Sequence, residues 1–88
     1  MSQVTEQEIA EWCAGYLRRT LKLPDSPIDM HAEFTSLGLD SAESVFLVSA
    51  IEDWLGLELA SDTAIEHPTL AQLAGFIAGR LNALPTRA

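Results

Sequence analysis

Three capping-box motifs, in which a Thr or Asp is followed three residues later by Glu or Gln, recur along the 88-residue sequence. Such a motif marks the first turn of a helix, because each of the two side chains satisfies a backbone N–H that the helix itself cannot. The motifs begin at Thr5, Asp40 and Thr69. Each opens a stretch whose apolar residues recur at helical spacing, and no stretch alternates as a strand does. The sequence therefore predicts an all-α fold.

The helices are expected at about residues 6–21, 41–55 and from residue 70 onward, with a short helix at about 62–66. The connection of about 22–40 is longer than bundle loops usually are, and its apolar residues predict that it packs over the core. The predicted architecture is a small bundle of three main helices plus one short helix, with a long loop between helices one and two.

Apolar periodicity also predicts the core. Phe34 and Leu37 are the expected anchors of the long connection. Cys13, the single cysteine, is expected to be a buried structural thiol, and an internal disulfide framework is excluded. Core-facing positions on the three main helices are Ile9, Trp12, Tyr16 and Leu17; Leu47, Val48, Ile51, Trp54 and Leu55; and Leu70, Leu73, Ile77, Leu81 and Leu84.

The length and the 48% hydrophobic content fit one small domain over residues 1–88, with about 6–84 ordered and 85–88 as a tail. The sequence has no apolar run that could span a membrane, and its first residues lack the pattern of a signal peptide. We therefore expect a cytoplasmic protein that is a monomer and does not contact membranes.

The formal net charge is −8, and its distribution along the chain is uneven. Between Lys22 and Arg80 there are ten carboxylates and no Lys or Arg. Such a surface repels nucleic acid and steers a basic protein partner toward it. The alternative interpretation is an acidic face that only aids solubility.

Residues 37–45 predict a loop that turns into the second main helix. Gly38 permits a left-handed backbone, and Asp40 is the expected N-cap. Ser41 then falls in the first turn, where its hydroxyl can face water. Because helix N-termini favour anions, this serine is well placed to accept a group that carries phosphate.

The sequence lacks the patterns of a serine hydrolase or a metal site. The residues around Ser41 lack the second glycine of a G-x-S-x-G elbow, and neither His31 nor His67 stands in a position typical of a catalytic base. Two isolated histidines and one buried cysteine offer no ligand spacing for a metal. We expect no catalytic residue and no metal ligand.

The outer face of the second main helix carries apolar residues where a helix without a partner would carry charges. Scattered exposed hydrophobes are common, but this patch begins one residue after Ser41, and we interpret it as a docking surface. The face consists of Ala42, Val45 and Ser49, with Phe46 on its boundary, and the carboxylates of Glu43, Glu52 and Asp53 form its rim.

Leu-Gly-Leu-Asp-Ser at residues 37–41, followed by His-Pro-Thr at 67–69 before a final amphipathic helix, resembles the acyl carrier proteins of fatty acid and polyketide synthesis. The resemblance covers about residues 6–84. It implies that Ser41 receives a 4′-phosphopantetheine arm whose terminal thiol carries acyl thioesters, and Asp40 matches the aspartate that precedes the modified serine. Residues 42–45 and 54–56 are more similar to carriers of the polyketide type.

The resemblance also implies partners. They are a phosphopantetheinyl transferase, an acyl-loading enzyme (an acyltransferase or a ligase), and a ketosynthase or other pathway enzymes with basic docking surfaces. Glu43, Val45 and Ser49 match positions that contact partner enzymes, whereas Ala42 replaces a large aliphatic residue and favours a specialised pathway. Two alternatives stay open: an aminoacyl or peptidyl carrier of a nonribosomal-type pathway, and a helical interaction module in which Asp40 and Ser41 only begin a helix.

Overall fold

The computed structural model describes residues 4–23 and 28–83. Within those ranges the chain forms helices and no β-strand; one isolated β-bridge joins Glu33 and Thr69. The all-α prediction is therefore confirmed. Pro24, Pro27, Leu84 and the expected tail at 85–88 lie outside the described residues. The helices are α1 (Glu6–Leu21), α2 (Phe34–Leu37), α3 (Ser41–Leu55), α4 (Thr63–Glu66) and α5 (Leu70–Ala83).

The capping boxes begin α1 and α3 as the sequence predicts. At α1, the Thr5 hydroxyl accepts a hydrogen bond from the Glu8 backbone N–H at 3.1 Å, and the Glu8 carboxylate accepts one from the Thr5 N–H at 2.9 Å. At α5, the Thr69 hydroxyl accepts one from the Gln72 N–H at 3.1 Å. Because these bonds are local in sequence, the starts of the three main helices could be predicted without tertiary information.

The long connection contains one short helix, α2, that the sequence did not predict. Its N-cap residue Glu33 makes no capping hydrogen bond with its side chain, so no local motif marks it. It is held by tertiary contacts instead: the Phe34 N–H donates to the Pro68 carbonyl at 2.8 Å, and the Ala71 N–H donates to the Met30 carbonyl at 2.9 Å. The connection is thereby fastened to the start of α5.

Gly38 ends α2 with a backbone φ of 99°, which glycine adopts without the steric strain that a side chain would add. Phe34 is 3% exposed, and Leu37 packs against the core from a half-buried position. Both predicted anchors are confirmed, and they place the loop directly before α3.

One apolar core joins α1, α3, α4 and α5, and most core predictions are confirmed. Among the described residues, four of the predicted core positions on the main helices are only half-buried against it: Trp12, Tyr16, Leu55 and Leu81. The prediction for Trp54 is wrong. Its side chain is 36% exposed and stacks on Trp12 of α1, with ring centroids 4.6 Å apart and ring planes 6° apart. Trp54 lies in the last turn of α3, where it packs face to face on a half-buried ring instead of entering the core. Among the described helices, none is long and apolar enough to cross a bilayer.

Candidate functional site

Ser41 is the first residue of α3, and its side chain is exposed. The preceding residue provides the cap: the Asp40 carboxylate accepts a hydrogen bond from the Glu43 N–H at 2.8 Å, and the Glu43 carboxylate accepts one from the Asp40 N–H at 3.4 Å. Because Asp40 satisfies the first turn, the Ser41 hydroxyl is not needed as a cap and can face solvent.

Ser44, one turn further along α3, differs from Ser41 in being buried. It is 6% exposed, and its hydroxyl donates to the Asp40 carbonyl at 3.0 Å. The two serines are three residues apart, yet only Ser41 of the pair is exposed to solvent.

A partly open cleft of about 170 Å³ lies beside Ser41. Its wall is largely apolar and comes from the connection, the start of α3, and α4. Neither histidine is among the residues that line it: His31 is exposed in the connection, and His67 stacks on Phe76 with centroids 4.3 Å apart. The cleft is lined by Glu33, Phe34, Thr35, Leu39, Asp40, Ser41, Ser44, Ala64, Ile65 and Pro68.

The predicted docking face is exposed in the structure. Ala42 and Ser49 are exposed, Val45 is 38% exposed, and Phe46 is 62% exposed. Sequence reasoning missed Ile65 of α4, which is 54% exposed and lines the cleft. An apolar residue in a four-residue helix has too little periodicity around it to reveal which way it faces.

The three carboxylates predicted to rim this face have different roles. Glu43 is half-buried and belongs to the capping box of α3. Glu52 accepts a hydrogen bond from the Leu59 N–H at 2.8 Å and so fastens the segment after α3 to the helix. Asp53 is exposed and has no such structural task in the described part of the chain.

Cys13 is fully buried in α1, as predicted. Burial raises the pKa of its thiol from 9.0 to about 12. The thiolate is the reactive form of cysteine, so this side chain is inert at neutral pH. No cluster of three potential metal ligands occurs among the residues that the structure describes.

Comparison with known proteins agrees with this geometry. Residues 11–77, which include Ser41, match the family described as the phosphopantetheine attachment site. The chain is 29% identical over 77 residues to acyl carrier protein TtuC of Teredinibacter turnerae, covering 88% of each protein.

Two further similarities concern carrier domains of larger proteins. The chain is 37% identical over 62 residues, 70% of its length, to polyketide synthase PksM of Bacillus subtilis, of which it covers 2%. The structure superposes on the HMG-ACPI domain of the CurA module from Lyngbya majuscula with a TM-score of 0.82 and 31% identity, covering 94% of this chain and 84% of that one. A match over most of the chain and a shared fold lead to one conclusion: this chain belongs to the phosphopantetheine-binding family of acyl carrier proteins.

Proposed function

We propose that this protein holds acyl groups on a 4′-phosphopantetheine arm attached to Ser41 and presents them to successive enzymes of polyketide or related secondary-metabolite biosynthesis. The observation that carries the proposal is the exposed hydroxyl of Ser41 at the first residue of α3, inside the matched range 11–77. When bound, the arm supplies a terminal thiol that carries acyl groups as thioesters.

The residues around Ser41 fit such a group. The N-terminus of α3 stabilises a phosphodiester by about 0.3–1 kcal/mol. The carboxylates of Asp40 and Glu43 oppose it by a similar amount, about 1 kcal/mol for a pair about 4 Å apart in water. No Lys or Arg lies between Lys22 and Arg80 to hold the phosphate. The balance leaves the arm mobile, as delivery to several enzymes requires.

In this proposal the chain supplies position and surface, and the enzymes that it meets supply the chemistry. Asp40 fixes the first turn of α3, so that Ser41 is presented in one orientation. A phosphopantetheinyl transferase attaches the arm; an acyl-loading enzyme and a ketosynthase or other pathway enzymes then use it. The residues proposed to contact these partners are Ala42, Glu43, Val45, Phe46, Ser49 and Asp53.

The decisive experiment is modification in vitro. The purified protein is incubated with coenzyme A and a broad-specificity phosphopantetheinyl transferase, and its intact mass is measured. We expect the mass to rise by one phosphopantetheine, and we expect Ser41→Ala to abolish the gain while helicity is retained. Ser36→Ala, which alters another exposed serine outside the proposed site, should be modified like the wild type. An unmodified, well-folded wild type would instead favour a helical interaction module.

The second candidate, an aminoacyl or peptidyl carrier, shares the attachment chemistry and differs only in cargo. The −8 charge and the site geometry do not separate the two, because the loading enzyme selects the cargo. Releasing the thioester from protein purified from its source organism and measuring its mass decides between them. An acyl group without an amine supports the first candidate, and an aminoacyl group supports the second.

A further inference from the structure

The cleft beside Ser41 has no task in the proposed function as stated so far. Phe34, Leu39 and Ala64, which line it, are buried, so the apolar surface of the cleft belongs to the edge of the core. Ile65 of α4 also lines the cleft, and its side chain is 54% exposed. An apolar group that entered the cleft would therefore cover the exposed isoleucine without displacing any core residue.

Backbone hydrogen bonds hold the walls of the cleft. The Phe34 N–H donates to the Pro68 carbonyl at 2.8 Å, and the Leu39 N–H donates to the Phe34 carbonyl at 2.9 Å. In α4, the Ile65 N–H donates to the Asp62 carbonyl at 3.0 Å. Because the fold itself makes these bonds, the cleft is pre-formed, and filling it requires little ordering of the chain.

The polar groups of the cleft select an uncharged occupant. Glu33 and Asp40 are among the lining residues, and neither Lys nor Arg is among the described residues that line it, so an anion would be repelled. The Ser44 hydroxyl donates to the Asp40 carbonyl at 3.0 Å, and its oxygen keeps lone pairs that can accept a hydrogen bond. The cleft therefore fits an apolar group that carries one hydrogen-bond donor.

The size of the cleft limits the occupant to a small group. A closed apolar cavity of about 150 Å³ binds benzene, so a cleft of about 170 Å³ holds roughly six carbon atoms. Ser41 is itself a lining residue, so a group attached to its hydroxyl begins at the cleft. The entropic cost of closing a tether rises with its length, which favours the part of the attached group that lies nearest to Ser41.

The chemistry of 4′-phosphopantetheine places a matching segment at that position. Directly after the phosphodiester, the arm carries a carbon with two methyl substituents, and the next carbon carries a secondary hydroxyl. This dimethyl segment is uncharged, small and apolar, and the hydroxyl is a donor. Acyl groups are held at the far end of the arm, so that the whole arm would have to fold back to bring them to the cleft.

We infer that the cleft seats the dimethyl segment of an arm attached to Ser41, with the Ser44 hydroxyl oxygen accepting a hydrogen bond from the arm's secondary hydroxyl. The inference rests on the proposed function and adds which part of the arm the fold holds. The phosphate stays unclamped, and the arm beyond the dimethyl segment stays free to reach partner enzymes. Ile65 gains a contact that no residue of the described chain supplies in full.

The test is nuclear magnetic resonance of the isotope-labelled protein before and after modification with coenzyme A and a broad-specificity phosphopantetheinyl transferase. We expect NOEs between the methyl protons of the arm and those of Ala64 and Ile65. The resonances of these two residues and of Ser44 should also shift on modification, because all three line the cleft.

Variants with matched controls show whether the cleft residues cause these NOEs. Ile65→Ser should weaken the NOEs to Ala64 about fivefold, because it removes apolar contact area. Val45→Ser, which changes another exposed apolar residue that does not line the cleft, should leave them unchanged.

Ser44→Ala should weaken the same NOEs about threefold, because it removes the acceptor. Ser49→Ala, which changes an exposed serine outside the cleft, should leave them unchanged. Far-UV circular dichroism of each variant checks that helicity is retained.

Two loaded forms separate the arm from its cargo. The transferase is given acetyl-coenzyme A or octanoyl-coenzyme A, so that the two products differ only in the acyl group. Because the arm occupies the cleft in both, the resonances of Ala64 and Ile65 should have the same positions in the two products. Resonances that move with the length of the acyl chain would show that the cargo is the occupant and would overturn the inference.

Failure of the inference differs from failure of the proposed function. If the folded wild type gains no phosphopantetheine mass, the proposed function fails and the inference falls with it. If the mass is gained but the arm's methyl groups show no NOE to the cleft, or the NOEs to Ala64 are unchanged in Ile65→Ser, only the inference is overturned.

Discussion

The two ends of α3 differ in what covers their aromatic side chains. Near the N-terminal end, Phe46 is 62% exposed, and the residue four positions before it is Ala42. Near the C-terminal end, Trp54 is 36% exposed but stacks on Trp12 at a centroid distance of 4.6 Å. The chain thus supplies a stacking partner for Trp54, whereas most of the Phe46 ring faces solvent. Exposure alone therefore does not distinguish the two rings, because one of them has a partner within the chain and is still 36% exposed.

The two carboxylates near the C-terminal end of α3 also differ in whether they have a partner within the chain. Glu52 holds the Leu59 backbone at 2.8 Å, while its neighbour Asp53 is exposed. Adjacent residues on a helix point about 100° apart, so one can serve the fold while the next serves recognition.

The largest expected effect on stability concerns the aromatic pair. Trp54→Ala should lower the free energy of unfolding by about 2 kcal/mol, because it removes both a stacked ring and its partial burial. Phe46→Ala should change it by less than about 0.5 kcal/mol, since little burial is lost. Chemical denaturation monitored by circular dichroism measures both. Equal losses at the two positions would end the distinction between the two ends of the helix.

The next largest effect on stability is expected for the adjacent carboxylates Glu52 and Asp53. Glu52→Ala should lower the free energy of unfolding by about 1.5 kcal/mol, because it leaves the Leu59 N–H without a charged acceptor. Asp53→Ala should lower the free energy of unfolding by less than about 0.5 kcal/mol. Glu52→Gln retains an acceptor and should fall between the two. Urea denaturation of the three variants checks the order, and a stability loss at Asp53 as large as that at Glu52 would contradict it.

The smallest effect is expected at the cap of α3. Asp40→Ala should lower the free energy of unfolding by about 1 kcal/mol, whereas Asp40→Ser should restore most of it, because serine is also a good N-cap. The second measurement on the same variants is the rate at which a phosphopantetheinyl transferase modifies Ser41. If the cap only orients Ser41, the rate should follow stability, falling in the alanine variant and recovering in the serine variant. A serine variant that is stable but poorly modified would show that the Asp40 carboxylate itself contacts the transferase.

The parts of the fold that could be predicted from sequence are those governed by local interactions. The starts of α1 and α3 follow from capping boxes that span four residues, and the exposed position of Ser41 is consistent with the cap at Asp40. By contrast, α2 depends on a hydrogen bond from Phe34 to Pro68, which is 34 residues away. No local motif records such a bond.

The site was predictable to the same extent. Helical spacing placed Val45 on the outer face of α3 and Phe46 on the boundary of that face, because a face can be counted from the sequence alone, and both residues are exposed in the structure. It failed for Trp54, whose environment depends on Trp12 in another helix, and it missed Glu52 as a structural acceptor. Periodicity gives the direction of a side chain but not what lies opposite it.

The buried position of Cys13 has a chemical consequence for the proposed role. Thiolates exchange with activated acyl groups, so a reactive cysteine on the polypeptide would draw cargo off the arm and trap it as a dead-end adduct. Full burial, with a pKa raised to about 12, keeps this sulfur protonated and out of reach. In the proposed role the scaffold would thereby be inert toward the acyl groups, and the thiol of the arm would be the one reactive sulfur.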